Sequence, residues 1–146
     1  MKRTAKAHWT GDLKTGHGEL TTESTVLDQT PFSFNTRFAD GIGSNPEELL
    51  AASHAGCFTM SLAYALSQQG LPATELETTA AVHVDMSRGG ITDIDLSLTA
   101  GRVPGLADTA FLEIAEEAKK NCLLSRALAS VNISLTVAYG VLEAQA

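Results

Sequence analysis

Apolar and polar positions alternate in short runs over residues 5–38. Ala5 to Trp9, His17 to Thr25 and Phe32 to Phe38 read as strands, parted by Gly11-Asp12, Gly16 and the turn-forming cluster Asp28–Pro31. Asp40-Gly41-Ile42-Gly43-Ser44 is a loop. A helix follows with a sharp start: Asn45 suits the N-cap, Pro46 the first helical position, and Glu48 the place where a capping box wants a carboxylate. The pattern runs to about Gln69, where Gly70 and Pro72 stop it. Glu75 to Met86 and Ile91 to Ala100 then form a long hairpin about Ser87-Arg88-Gly89-Gly90, with Ile94, Leu96 and Leu98 on one face of the second strand. Asp108 is placed to cap a helix through Asn121, with Phe111, Leu112, Ile114, Ala115 and Ala118 as its apolar stripe. A short helix from Cys122 or Leu123 to Ala129 and a strand from Val131 to Val141 complete the chain. Strands, helix, hairpin, two helices and strand predict an α+β fold of antiparallel strands around a long buried central helix, not a doubly wound parallel sheet.

The first long helix breaks the usual rule for a surface helix. From Leu49 to Gln68 it carries no charge on any face, so it must be enclosed on all sides. A single domain spanning 1–146, with only two substantial helices, can hardly wrap it. A second copy of the chain is the natural cover, which predicts a homodimer.

Composition narrows the function. Ten Lys and Arg against seventeen Asp and Glu give a formal charge of −7, and Lys2, Arg3 and Lys6 form no patch with aromatics between them; nucleic-acid binding is not expected. Neither a Gly-x-Gly-x-x-Gly nor a P-loop occurs, which argues against a nucleotide. The basic opening lacks the apolar stretch of a signal peptide. The uncharged run from Leu49 to Leu66 is interrupted by Ser53, His54, Gly56, Thr59 and Ser61, so it reads as a helix in protein rather than a membrane span. A soluble, cytoplasmic protein is the expectation.

Two cysteines, Cys57 and Cys122, carry the candidate chemistry. They form no Cys-x-x-Cys, and the four histidines have no metal-ligand spacing, so no metal is expected. A reducing compartment disfavours a permanent bridge, which leaves two inert core thiols or a redox pair. Cys57 lies mid-helix, where apolar surroundings raise a thiol pKa unless a cation compensates; Arg37, just before the loop, is the best candidate. Cys122 opens a helix after Lys119, Lys120 and Asn121, and local physics nominates it as the more reactive thiol. Glu47 precedes Cys57 by ten residues, about 15 Å along a helix and roughly 80° around it, so a site holding both draws the carboxylate from the other subunit. His54, at i−3 from Cys57, allows a Cys–His acyl-transfer reading, but neither an oxyanion-hole motif nor an orienting acid accompanies it.

Asn35-Thr36-Arg37-Phe38, Ser44-Asn45-Pro46-Glu47-Glu48-Leu49, His54-Ala55-Gly56-Cys57-Phe58, and Cys122 with Ser125 and Leu128 resemble the osmotically inducible protein C and organic hydroperoxide resistance (OsmC/Ohr) family. Ala7-His8-Trp9-Thr10-Gly11-Asp12 and Thr22-Glu23-Ser24 point to the OsmC branch. One departure is Leu123, where the family usually has Pro. The resemblance implies a cofactor-free thiol peroxidase for organic hydroperoxides, built as an intertwined homodimer with sites at the subunit interface. It implies Cys57 as peroxidatic thiol, Cys122 as resolving thiol, Arg37 as the cation near the thiolate and Glu47 as the carboxylate orienting Arg37. It suggests a lipoyl-type dithiol as reductant, with small thiols as the alternative. Leu50, Phe58 and Met60 would line an apolar pocket. The competing reading is a non-enzymatic dimeric small-molecule binder whose cysteines are structural.

Overall fold

A computed structural model describes residues 1–142. The chain divides into two compact units, Met1–Leu49 and the part from Leu50 onward.

In the first unit β1 (Ala5–Thr10), β2 (His17–Thr22) and β3 (Thr30–Phe32) form an antiparallel sheet in the order β1-β2-β3. Trp9 and Phe32 meet across it with ring centroids 5.5 Å apart. The strand predicted over Phe32 to Phe38 is corrected: it ends at Phe32, and Phe34–Phe38 is a short helix, α1. Phe32, Phe34 and Phe38 mimic a strand's two-residue period. A reciprocal cap decides the matter: Thr36 N–H donates to Ser33 Oγ (3.2 Å) while Ser33 N–H donates to Thr36 Oγ1 (2.8 Å). The Phe34 and Phe38 rings then meet one turn apart, tilted, with centroids at 5.1 Å. Arg37 therefore sits in the last turn of a helix rather than at a strand end.

The helix α2 (Pro46–Gln68) starts as the sequence predicts. Glu48 N–H donates to Asn45 Oδ1 at 2.8 Å, and Asn45 Nδ2 donates to Glu48 Oε2 at 3.2 Å. It stops at Gly70, whose left-handed φ of +69° few other residues would adopt.

In the second unit β4 (Leu76–Asp85) and β5 (Gly90–Gly101) are the antiparallel hairpin, with a bulge at His83/Val84. α3 (Asp108–Asn121) and α4 (Leu123–Ala127) lead to β6 (Asn132–Leu142). The fold is α+β, and within it β6 lies parallel to β5. The α3–α4 connection is long enough to return the chain to the starting end of the sheet, which a tight turn cannot do. Three further expectations shift. Asp108 is the first residue of α3, not its cap, and pairs with Arg102 instead. Leu112, predicted in the apolar stripe, is exposed, which leaves Phe111, Ala115 and Ala118 buried. α4 ends at Ala127, two residues early.

The core is one cluster. Ile94, Leu96, Leu98 and Ala100 of β5 supply the sheet face, Phe58, Leu62 and Leu66 come from α2, and Phe111, Ala115 and Ala118 from α3. Phe111 stacks on Tyr139 with centroids 4.0 Å apart, and Arg102 caps the Tyr139 ring at 4.3 Å. α2 buries a single i, i+4 stripe of His54, Phe58, Leu62 and Leu66, while Met60 and Tyr64 are 75% and 67% exposed. One chain therefore covers one side of the uncharged run of α2 from Leu49 to Gln68. Its length and mean hydropathy of 1.3 would also suit a membrane span. Two of its hydroxyls nonetheless have protein partners: Thr59 Oγ1 donates to Thr78 Oγ1 at 2.7 Å and Ser61 Oγ to the Ala118 carbonyl at 3.0 Å.

Gly140 has φ +81°, and a Cβ there would lie 2.6 Å from Arg102 Nη2. Gly140→Ala is expected to lose about 1–3 kcal/mol, the cost of a strained backbone position, in urea unfolding. An unchanged midpoint would contradict this account of the Arg102–Tyr139 corner.

Candidate active site

Cys57 and Cys122 are 65 positions apart in sequence, and the fold brings their sulfurs to 3.2 Å, with the Cys122 thiol donating to Cys57 Sγ. Both are free. A disulfide has sulfurs about 2.05 Å apart, so roughly 1 Å of further approach would join them. Cys57 is half-buried, facing outward from mid-α2; Cys122 is 1% exposed, at the joint between α3 and α4. A depression of about 340 Å³ opens at them, lined by Met60, Ser61, Tyr64, Asn121 and Leu123. Of the expected apolar lining, Met60 takes part. Phe58 does not: it is wholly buried in the core, one residue on from Cys57 and so about 100° around the helix. Leu50 is not among the lining residues either.

Burial pushes the Cys57 thiol up from its ordinary value, and the neighbouring Cys122 adds to the rise; hydrogen bonds from the backbone of Leu124 and Leu123 oppose it. Leu123 is the first residue of α4, a position where Pro would also be at home. Lys119, expected to activate Cys122, directs its ammonium to Glu116 (3.3 Å) and to the Ile133 carbonyl (3.5 Å). An oxidant entering the depression meets Cys57 before the buried Cys122.

Arg37 and Glu47 form the other predicted pair, in the first unit. Arg37 Nε donates to both carboxylate oxygens, at 3.0 and 3.2 Å, and Nη2 donates to Oε1 at 2.6 Å. Nη1 has no hydrogen-bond partner among the described residues. Glu47 is 15% exposed and Arg37 45%. The guanidinium beside it holds the Glu47 carboxyl below the usual carboxylate value despite partial burial. Arg37 also lies over the Phe38 ring, 5.2 Å from its centroid. Asn45 Nδ2 donates to the Thr36 carbonyl at 3.2 Å, which ties the start of α2 to α1 and sets the pair's spacing.

His54 is fully buried and does not make the acyl-transfer pair that its spacing allowed. Its Nε2 lies 2.8 Å from Ser125 Oγ, and burial pushes its pKa down. Ser125 was part of the sequence motif but carried no role; its signal was the spacing 122/125, which matches 54/57. Among the described residues no group of His, Cys, Asp and Glu forms a metal site.

The family model described as OsmC-like protein matches residues 39–137, more than half of the chain. The protein named Peroxiredoxin OsmC of Escherichia coli K12 is 42% identical over 129 residues, covering 88% of this chain and 90% of that one. Among solved structures, the organic hydroperoxide resistance protein OhrB of Bacillus subtilis is 27% identical with a TM-score of 0.67, covering 92% of this chain and 98% of its own. An organic hydroperoxide resistance protein OsmC of Legionella pneumophila has a TM-score of 0.72 at 24% identity, covering 94% and 97%, and speaks to the fold.

The Glu47 carboxyl titrates lower in the folded chain than its ordinary 4.5, so its contribution to stability is present above that pH and is lost as pH falls through the lowered value. Glu47→Gln is expected to cost about 0.5–1 kcal/mol at pH 7, the worth of a partly exposed ion pair, and less at acid pH as the carboxyl takes up its proton. Urea unfolding at neutral and acid pH checks this; an equal gap at both would contradict it.

Proposed function

The chain belongs to the OsmC-like family, and on that premise we propose that it is a thiol peroxidase that reduces organic hydroperoxides to alcohols, with Cys57 attacking and Cys122 resolving. The observation that carries this reading is the 3.2 Å contact between an accessible thiol and a buried one at the floor of a depression. Deprotonated Cys57 attacks the distal peroxide oxygen; an S–O bond forms, the O–O bond breaks, and the alkoxide leaves as alcohol after taking a proton. Cys57 is oxidised by two electrons to the sulfenic acid. Cys122 then attacks that sulfur: the S–S bond forms, the S–O bond breaks and water leaves. A thiol or dithiol reductant restores both thiols by exchange, supplying two electrons and two protons. The apolar Met60 and Leu123 favour a substrate with an alkyl body. Two free thiols suit a reducing compartment, and we infer a cytoplasmic location from them.

A thiol whose pKa burial raises needs a cation to react at neutral pH. We assign that role to Arg37, with Glu47 orienting it through two nitrogens and leaving Nη1 to face the thiolate. Ten residues of unbroken helix span about 15 Å, so the pair of one copy serves the Cys57 of a second. The uncovered side of α2, with Met60 and Tyr64, gives that second copy an apolar surface to bury.

One equivalent of cumene hydroperoxide per chain is expected to remove both thiols, counted under denaturing conditions. Cys57→Ser should abolish turnover, and Cys122→Ser should allow one oxidation and then accumulate over-oxidised Cys57. Retained thiols in the wild type would favour the binder with structural cysteines; full activity of Cys57→Ser would rule out the assignment.

Arg37→Ala is expected to slow Cys57 oxidation and move its alkylation profile to higher pH. Refolding Arg37→Ala together with Cys57→Ser should restore fast oxidation, because the mixed dimer pairs the intact thiol of one chain with the intact arginine of the other. If the mixture is no faster than Arg37→Ala alone, the arginine does not act across subunits.

A further inference from the structure

His54 is fully buried, and the reaction as proposed makes no use of it. It precedes Cys57 by three residues on α2, and Ser125 follows Cys122 by three residues on α4. His54 Nε2 is 2.8 Å from Ser125 Oγ, and Cys57 Sγ is 3.2 Å from Cys122 Sγ. The two contacts thus share one register, 54 with 125 and 57 with 122. Residues three apart on a helix are neighbours on its surface, so the polar contact lies beside the sulfur contact.

His54 Nδ1 is buried without a hydrogen-bond partner. A proton there would be an unsatisfied buried donor, whereas a bare lone pair costs less. The tautomer that fits therefore carries its proton on Nε2 and donates to Ser125 Oγ.

The attachment of Cys122 depends on this bond. Cys57 stands on a 23-residue helix, but Cys122 sits at a joint with φ −59° and ψ 126°, followed by a helix of five residues. Among the described residues, His54–Ser125 is the side-chain hydrogen bond that ties α4 to another element; Leu124 and Leu128 add apolar contact with the core.

We propose that His54 is a positioning residue that acts through Ser125 to hold Cys122 against Cys57, and so governs the closing and opening of the disulfide rather than the first attack on peroxide. This rests on the reading of Cys57 and Cys122 as a redox pair. The step it controls is the balanced condensation above, Cys57 sulfenic acid plus Cys122 thiol giving disulfide and water. It controls equally the reverse exchange, in which a dithiol supplies two electrons and two protons. Attack on peroxide rests on Cys57 and its cation, with a smaller contribution from the backbone of Leu123 and Leu124, so a loosened α4 slows the condensation more than the attack.

The test uses the full chain equilibrated with dithiothreitol in the absence of peroxide. Ser125→Ala and His54→Leu should each shift the equilibrium toward the dithiol form by about tenfold, the worth of one buried hydrogen bond. The double variant should be no worse than either single one, and Ser125→Thr or His54→Gln, which keep a hydroxyl or an N–H, should restore most of the shift. In single turnover with cumene hydroperoxide, Ser125→Ala should slow sulfenic acid formation far less than disulfide closure, which slows about tenfold. A wild-type dithiothreitol equilibrium in the variants, even with lowered thermal stability, overturns the proposal, as does an equal slowing of both steps. If peroxide fails to oxidise the wild type, the peroxidase reading falls, while the dithiothreitol measurement still decides the positioning role.

Discussion

The uncharged run of α2 from Leu49 to Gln68 has to be covered, and the second unit is organised around that requirement. α2 adds Phe58, Leu62 and Leu66 to the core cluster with β5 and α3, and its Thr59 and Ser61 hydroxyls find partners in Thr78 and the Ala118 carbonyl. Cys57 is carried on the same element, one residue from the core position of Phe58. Its environment is partly apolar for the same reason that the helix is stable: the core packs against one side of it. A face with Met60 and Tyr64 is left over, and burying it against a second copy would complete the helix and enclose the thiol with one set of contacts.

That partial burial sets the electrical problem of the site. Burial disfavours a thiolate, and the backbone of Leu124 and Leu123 answers only part of the cost. The proposed cation would meet the rest, yet a lone guanidinium on a flexible stem would waste much of its field in water. Glu47 holds Arg37 by two nitrogens, and its lowered pKa keeps the pair ionised at neutral pH. The carboxylate weakens the net charge but fixes the direction of the guanidinium, which is what a preorganised charge requires.

What could be read from the chain follows how local each signal is. Asn45, Pro46 and Gly70 bracket α2 because caps and stops act over three or four residues. Ile94, Leu96 and Leu98 reveal a sheet face because a strand has a period of two. The same period misleads at Phe32, Phe34 and Phe38, where the cap between Ser33 and Thr36 outweighs the alternation. The parallel register of β6 depends on where a thirty-residue excursion lands, which local patterning does not encode. The resemblance named Cys57, Cys122, Arg37 and Glu47. It did not disclose that Ser125 meets His54, since that contact joins residues 71 apart.

The conflict over which thiol is the more reactive has a geometric answer. A helix start lowers the pKa of a sulfur in front of its free N–H groups, and by sequence Cys122 is the sulfur at the start of α4. The fold turns those N–H groups toward Cys57 instead: the backbones of Leu123 and Leu124 favour the thiolate on Cys57, while Cys122 lies buried behind it and donates its own hydrogen. The benefit of a helix terminus goes to the atom the terminus faces, not to the residue that begins it. The joint that aims those N–H groups at Cys57 is the joint that brings Cys122 to it. One placement of α4 therefore serves both the ionisation of the first thiol and the approach of the second.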